Sequence, residues 1–272
     1  MKKKKALDIT IIISLLLAAF LISGCQTILV TRNGDTETGE TETRQFDFSE
    51  FTHVDIGSTF SYEIKQSDTY SISITANNNL FDDIKVAKEG QTLKLRMEVP
   101  KVAWAMFTID PNPKAVITMP QLYGLNSSGA TDGAVSRFSS TDDLDFTVSD
   151  VSSVELLAIS AGDVSFHVSG ASTVSGDIKA EDIDLDVSGL GSVQLEGSAR
   201  DMEIKTSGGS HLKLASLTVN NADITLSDVS DCTINLSGRL DTKLSGASRL
   251  EYIGEPTLGK IDIAGVSTLK KK

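Results

Sequence analysis

Carboxylates dominate the side chains of this 272-residue chain that could do chemistry. Asp145, Asp184, Glu203, Asp223 and Asp241 recur, with Ser165 holding one place among them, at intervals of 18 to 20 residues. Stacked carboxylates attract divalent cations, and a facing pair can hydrolyse a glycosidic bond. Glycosidase or lyase chemistry also wants basic groups in the same groove. The region after residue 125 offers only Arg137, Arg200, Arg239 and Arg249, and their spacing gives no reason for them to converge. Serines are plentiful, yet no Gly-x-Ser-x-Gly elbow marks a nucleophile. His53, His167 and His211 are too scattered for a zinc site, and the glycine-rich stretches lack the order of a phosphate loop or a calcium nonapeptide. These residues predict no catalysis, no metal centre and no cofactor.

Charge and the N-terminal segment narrow the location. With 37 acidic against 25 basic residues the net charge is −12, which excludes a phosphate-binding basic face and so a nucleic-acid partner. Lys2 to Lys5 form a basic start, and Ile9 to Ile22 is apolar apart from Thr10 and Ser14. That run has signal-peptide length and falls short of the roughly 20 residues of a membrane span. Leu21-Ile22-Ser23-Gly24-Cys25 resembles a bacterial lipobox, so residues 1–24 are expected to leave as a lipoprotein signal peptide. Cys25 is then the lipidation site and the anchor. The mature chain sits outside the cytoplasm, lipid-anchored to the cell membrane, or to the outer membrane in a Gram-negative cell. Residues 25–44, rich in Thr, Glu and Gly, read as a flexible tether, because they bury too little surface to offset their ordering entropy; the alternative is a first strand hidden in this segment.

The elements that position the carboxylates are repeats. Alternating apolar residues, a Ser-Gly or Ser-Asp pair, then further alternation recur about Ser128, Ser149, Ser169, Ser188, Ser207, Ser227 and Ser245. A fixed period near 20 marks a solenoid, and period-2 alternation makes its units strands. Aligned on the serines, Val148, Val168, Val187, Thr206, Leu226 and Leu244 fall in one inward column, and Phe146, Phe166, Leu185, Ile204, Ile224 and Thr242 in a second. Val154, Val174, Val193, Leu212, Cys232 and Leu250 fall in a third, which predicts that Cys232 is a buried, inert thiol. The residue after each serine is Gly or Asp, the types that accept positive φ at a sharp corner.

The carboxylates stand four residues before the serines, on the outward face. At about 4.8 Å per coil, neighbours repel by roughly 0.9 kcal/mol even in water. Lys205 and Lys243, on the same strands as Glu203 and Asp241, are expected to compensate. Asp184, Glu203, Asp223 and Asp241 are thus expected to form a weak, non-stoichiometric cation stripe. The alternative is a solvated acidic face that only keeps the chain soluble.

Residues 45 to 124 are also strand-like but less regular, and read as irregular first coils of the same domain. Phe46-Asp47-Phe48, Thr118-Met119-Pro120-Gln121-Leu122, Ser-Gly-Ala-Ser at 169–172 and 245–248, and Tyr252-Ile253-Gly254-Glu255-Pro256 together resemble the bacterial putative auto-transporter adhesin head GIN domain family. The resemblance covers roughly residues 45 to 256. It implies a right-handed parallel β-helix and a surface or adhesion role. The expected fold is therefore an all-β, right-handed parallel β-solenoid with coils of about 20 residues. It spans 45–256, followed by a last partial coil and basic tail over 257–272. Val102-Ala103-Trp104-Ala105-Met106-Phe107 reads either as a cap on one end of the core or as an exposed contact loop. The function expected is binding, adhesion or envelope structure with an unspecified envelope-protein or glycan partner. A polysaccharide-active enzyme and an envelope-stress or assembly partner are the rival readings.

Overall fold

The alternation written into the sequence becomes strands throughout. In the computed structural model, residues 40–98 and 112–272 are described, and they belong to one unit, Gly39–Lys272. The chain first forms β1 (Thr41–Phe46), β2 (His53–Ile56), β3 (Ser61–Gln66), β4 (Ser71–Asn77), β5 (Ile84–Glu89), β6 (Thr92–Met97) and β7 (Lys114–Met119). Next come β8 (Gly124–Ser127), β9 (Asp132–Ser136), β10 (Leu144–Val148), β11 (Ser153–Ser160), β12 (Val164–Val168), β13 (Thr173–Lys179) and β14 (Asp182–Val187). The last are β15 (Ser192–Thr206), β16 (His211–Leu226), β17 (Asp231–Leu236), β18 (Arg239–Leu244), β19 (Arg249–Ile253), β20 (Thr257–Ile263) and β21 (Thr268–Lys271).

These strands stack as a β-solenoid. A first face runs β2, β8, β10, β12, β14, the second halves of β15 and β16, β18 and β20, all in parallel register. A second face runs β3, β9, β11, β13, the first halves of β15 and β16, β17, β19 and β21. The three apolar columns align coil on coil and are buried. Phe146 and Phe166 stack with ring centroids 5.0 Å apart. Tyr62 fills the space that Gly133 leaves empty in its column, and its hydroxyl donates to Ser127 Oγ at 3.0 Å.

The Ser-Gly corner has a steric cause. Gly170 has φ +73°, and a Cβ there would stand 2.4 Å from the carbonyl oxygen of Asp150 in the coil before. Asp150 and Asp228 take the same left-handed backbone at +66° and +60°, as their place in the repeat predicts. The second serine of Ser-Gly-Ala-Ser points inward. Ser248 Oγ donates to the Ser245 carbonyl at 2.7 Å, and Ser230 Oγ donates likewise to Ser227 at 2.8 Å. At Ser210, Ser230 and Ser248 that hydroxyl closes the corner from inside, while the Ser152 and Ser172 hydroxyls are buried without a partner.

The N-terminal end departs from simple stacking. β6 and β7 lie in parallel register on β2 and β3, so the first coil in sequence is not the end of the stack. β5 runs antiparallel to β6, β4 antiparallel to β7, and β1 antiparallel to β4. Among the described residues the first strand starts at Thr41, ahead of residue 45, because Thr41 to Phe46 pairs along β4, where the Arg44 guanidinium covers the Phe81 ring at 4.1 Å. At the other end β20 and β21 complete a coil, and Lys270 and Lys271 lie within β21. The segment around Trp104 lies outside the described residues.

Three outcomes test this packing. Cys232 is buried, and burial pushes its thiol up to about 12. The native protein should therefore react with a thiol reagent far more slowly than the urea-unfolded protein at every pH from 7 to 9. Cys232→Val should cost less than about 1.5 kcal/mol. Gly170→Ala, forced into a left-handed backbone against a carbonyl, should lower stability by about 1–3 kcal/mol in denaturant unfolding.

Candidate functional site

The outward columns of the first face carry the densest charge. Asp145 pairs in register with Ser165, Ser165 with Asp184, Asp184 with Glu203, Glu203 with Asp223, and Asp223 with Asp241. Inward neighbours at alternate positions hold each strand against the core, so these carboxylates have no choice but to face solvent. A further acidic column lies six residues before the serines and was not anticipated: Asp143, Asp163, Asp182 and Asp201. Its carboxylates reach along the stack. The Asp163 N–H donates to Asp143 Oδ1 at 3.1 Å, and Asn221 Nδ2 donates to Asp201 Oδ1 at 2.7 Å. The same alignment on the serines would have exposed this column. Asp182, Asp184, Asp201, Glu203, Asp223 and Asp241 line a shallow depression of about 290 Å³.

Compensation differs from expectation at one end of the stripe. Lys205 does pair with Glu203, and that hydrogen bond raises the lysine pKa above its ordinary value. Asp241 pairs instead with Arg239, whose Nη2 donates to Oδ1 at 2.7 Å, rather than with Lys243. Arg239 occupies the outer acidic column, which brings its guanidinium alongside Asp241. This hydrogen bonding, together with the Lys260 N–H at 2.6 Å, holds the Asp241 carboxyl down to about 2. Among the described residues, no lysine or arginine lies within ion-pair distance of Asp184 or Asp223.

The basic groups do not assemble a catalytic groove. Arg200 is tied to Asp182 at 2.7 Å, with Glu181 and Asp201 at 3.6 Å, and Arg239 is tied to Asp241. Arg249 stands on the second face in β19, and Arg137 follows β9 there. That face has its own depression of about 590 Å³, lined by Glu63, Lys65, Arg137 and Glu155. Glu63 is held down to about 2, first by Lys114, which donates at 2.7 Å, then by Lys65. Nothing in the sequence marked this site, because the first coil lacks a Ser-Gly anchor. His53, His167 and His211 sit in separate coils, and among the described residues no group of three or more His, Cys, Asp or Glu could hold a metal ion. Cys25 lies outside the described residues.

A stack with Ser-Gly corners and ladders of like side chains now has sequence support. Residues 50–256 match the model of the family described as "Putative auto-transporter adhesin, head GIN domain". The chain belongs to that family. Among solved structures, a putative adhesin from Parabacteroides distasonis is similar with a TM-score of 0.78 at 15% identity, covering 86% of this chain and 98% of its own. A putative lipid binding protein from the same organism gives 0.74 at 20% identity, covering 86% and 98%. A putative adhesin from Parabacteroides merdae gives 0.75 at 17%, covering 86% and 97%. No curated protein matches the chain significantly. These likenesses share the head GIN fold. The adhesin description of the family points to a surface or extracellular location and a binding role. Among the described residues no helix is long and apolar enough to cross a membrane.

The stripe should behave as a diffuse field of charge. Millimolar calcium should raise the melting temperature in a graded way, more than sodium at equal ionic strength, without a stoichiometric endpoint. A saturating endpoint at one ion per chain would instead reveal a chelate, and a rise no larger than sodium's would leave only a solvated face.

Proposed function

We propose that this head GIN protein is a membrane-anchored lipoprotein whose solenoid binds an envelope protein or glycan outside the cytoplasm and performs no catalysis. The observation that carries the binding half is the form of the outer surface. Each coil repeats the same outward positions in register, so the molecule offers ladders running the length of the stack instead of an enclosed pocket. Such a surface suits an extended or repetitive partner, with many weak contacts summed along it. The arginines that a polysaccharide-cleaving site would need are neutralised by neighbouring carboxylates, which favours binding over cleavage.

The anchoring half rests on Lys2 to Lys5, the apolar run to Ile22 and the Ser23-Gly24-Cys25 junction. Two or more acyl chains on Cys25 would hold the chain at a membrane far more stably than one. Intact-mass analysis of the membrane fraction should find a chain beginning at Cys25 and carrying the added lipid mass. Cys25→Ser should abolish that mass and leave the signal peptide attached. A soluble, unmodified wild-type chain that keeps residues 1–24 would refute the anchor. Binding is tested separately, with a panel of envelope glycans and envelope proteins presented to the wild-type chain. Cleavage of any glycan during the assay would refute the non-catalytic reading.

A further inference from the structure

The corner opposite the buried serines carries a ridge that neither the acidic stripe nor the family accounts for. Two residues after each anchoring serine, and two after Ala264 in the last coil, the chain alternates strictly between a large apolar residue and Ala or Gly. Val151, Leu190, Val229 and Val266 are 66%, 69%, 63% and 78% exposed. Between them, coil by coil, come Ala130, Ala171, Gly209 and Ala247, also exposed. Isolated surface apolar residues are ordinary, but eight in register along one edge form a continuous patch. At about 4.8 Å per coil the ridge is roughly 34 Å long.

Its backbone is already satisfied. The Leu190 N–H donates to the Gly170 carbonyl at 2.7 Å, Val229 to Gly208 at 2.9 Å and Val266 to Gly246 at 2.8 Å. The two acids on its shoulder are tied down as well. Asp150 Oδ2 accepts the Gly129 N–H and Asp228 Oδ2 the Gly208 N–H, each at 2.9 Å. Covering this ridge would therefore strand no donor, which removes the usual cost of burying a main-chain edge.

We propose that the ridge pairs with the same ridge of a second copy of this chain, antiparallel, about a two-fold axis between the coils of Leu190 and Gly209. Reversing the order places every large residue against a small one: Val151 faces Ala247 of the second copy, Val229 faces Ala171, and Val266 faces Ala130. At the axis the two Leu190 side chains lie side by side. Each already leans over its own Gly209, where a Cβ would stand 3.1 Å from the leucine. A parallel pair would instead set large against large at alternate coils.

Charge agrees with the antiparallel order. The first serine of each coil gives the ridge an uncharged shoulder. Arg249, the arginine beside the ridge and already paired with Asp231 of its own copy at 3.8 Å, comes level with the neutral Ser153 of the second copy and one coil from its Asp132. Asp228 comes level with Gly170, and Asp231 with the neutral Thr173. A seam this narrow lies at the small end of specific interfaces, so the association is weak, with a dissociation constant in the micromolar to millimolar range.

Cysteine trapping separates the orders. In the full chain carrying Cys25→Ser, Val151→Cys and Ala247→Cys are five coils apart within one copy but opposite each other in the antiparallel pair. Oxidation with diamide at protein concentrations from about 10 μM to about 1 mM, the range in which such an interface associates, should give a covalent dimer from the double variant. Val151→Cys alone and Ala247→Cys alone should give none. Adding Leu190→Asp and Val229→Asp should cut the dimer yield at least tenfold while leaving the melting temperature unchanged, since both side chains are exposed. The proposal is overturned if the single variants cross-link as well as the pair does, or if the double variant stays monomeric throughout. It is equally overturned if the aspartates leave the yield unaltered, which would assign association to the apolar N-terminal run.

Discussion

At each corner of the stack one coil's backbone reaches the next at close range: Ala171 N–H to the Asp150 carbonyl at 2.7 Å, Ala247 N–H to the Asp228 carbonyl at 2.6 Å. The parallel hydrogen-bond ladder does not stop where the strands stop. It continues around the bend, and only a left-handed residue lets the carbonyl point along the stack at that place. Gly or Asp at the position after the serine follows from this, and at Ser210, Ser230 and Ser248 a buried hydroxyl also ties the corner shut from inside. Because the bend is bonded, every coil keeps nearly the same length, and the columns on either side remain in register.

Register decides what the surface can be. A column that faces inward becomes a ladder of apolar side chains, and one that faces outward becomes a ladder of whatever the sequence puts there. For Asp184, Glu203 and Asp223 that means like charges held one above another, a cost that a globular fold would avoid by scattering them. The chain moderates it with local cations and with carboxylates that accept backbone N–H groups from the adjacent coil, as Asp143 does from Asp163. Charge that is partly neutralised and evenly spaced is suited to long-range attraction and repulsion. It does not make the pointed asymmetry that an acid–base pair requires.

Much of this was legible because the repeat converts sequence position into location. Once Ser149, Ser169 and Ser188 were aligned, the interior of three columns, the burial of Cys232 and the left-handed Asp150 followed without a structure. Four things did not follow. The interleaving of β6 and β7 beneath β2 and β3 depends on antiparallel pairings between segments far apart in sequence, and no period announces them. The pairing of Arg239 with Asp241 depends on which outward row a guanidinium enters, a matter of side-chain reach. The column of Asp143, Asp163, Asp182 and Asp201 stands at the edge of the repeat's first strand, where Asp143 and Asp163 precede the strand and the alternation that marks the inner columns has not yet begun. The start of β1 was obscured because Thr41-Glu-Thr-Arg has the composition of a linker. It becomes a strand only through the edge that β4 offers.

The two ends of the stack are finished differently, and the difference bears on where this molecule can associate. At the N-terminal end, β1, β4 and β5 run antiparallel to their neighbours. At the other end the coil of β20 and β21 leaves Leu258, Ile263 and Val266 exposed. Such an edge would invite another chain to continue the parallel ladder. Two features oppose that. β20 is bulged against β18 at Gly259, where a side chain would collide with Arg239, so its edge is not flat. In β21, Lys271 lies in register with Tyr252, in the column that buries Ile234 two coils earlier, and its ammonium is paired with Glu255. A charge in an inward column penalises any further coil that would bury it. Growth along the solenoid axis is thereby discouraged at both ends, while the corner ridge, with its backbone satisfied and its acids tied, carries no such obstacle. Association is directed to the side of the stack, where the repeat supplies a long surface and the ladder supplies its spacing.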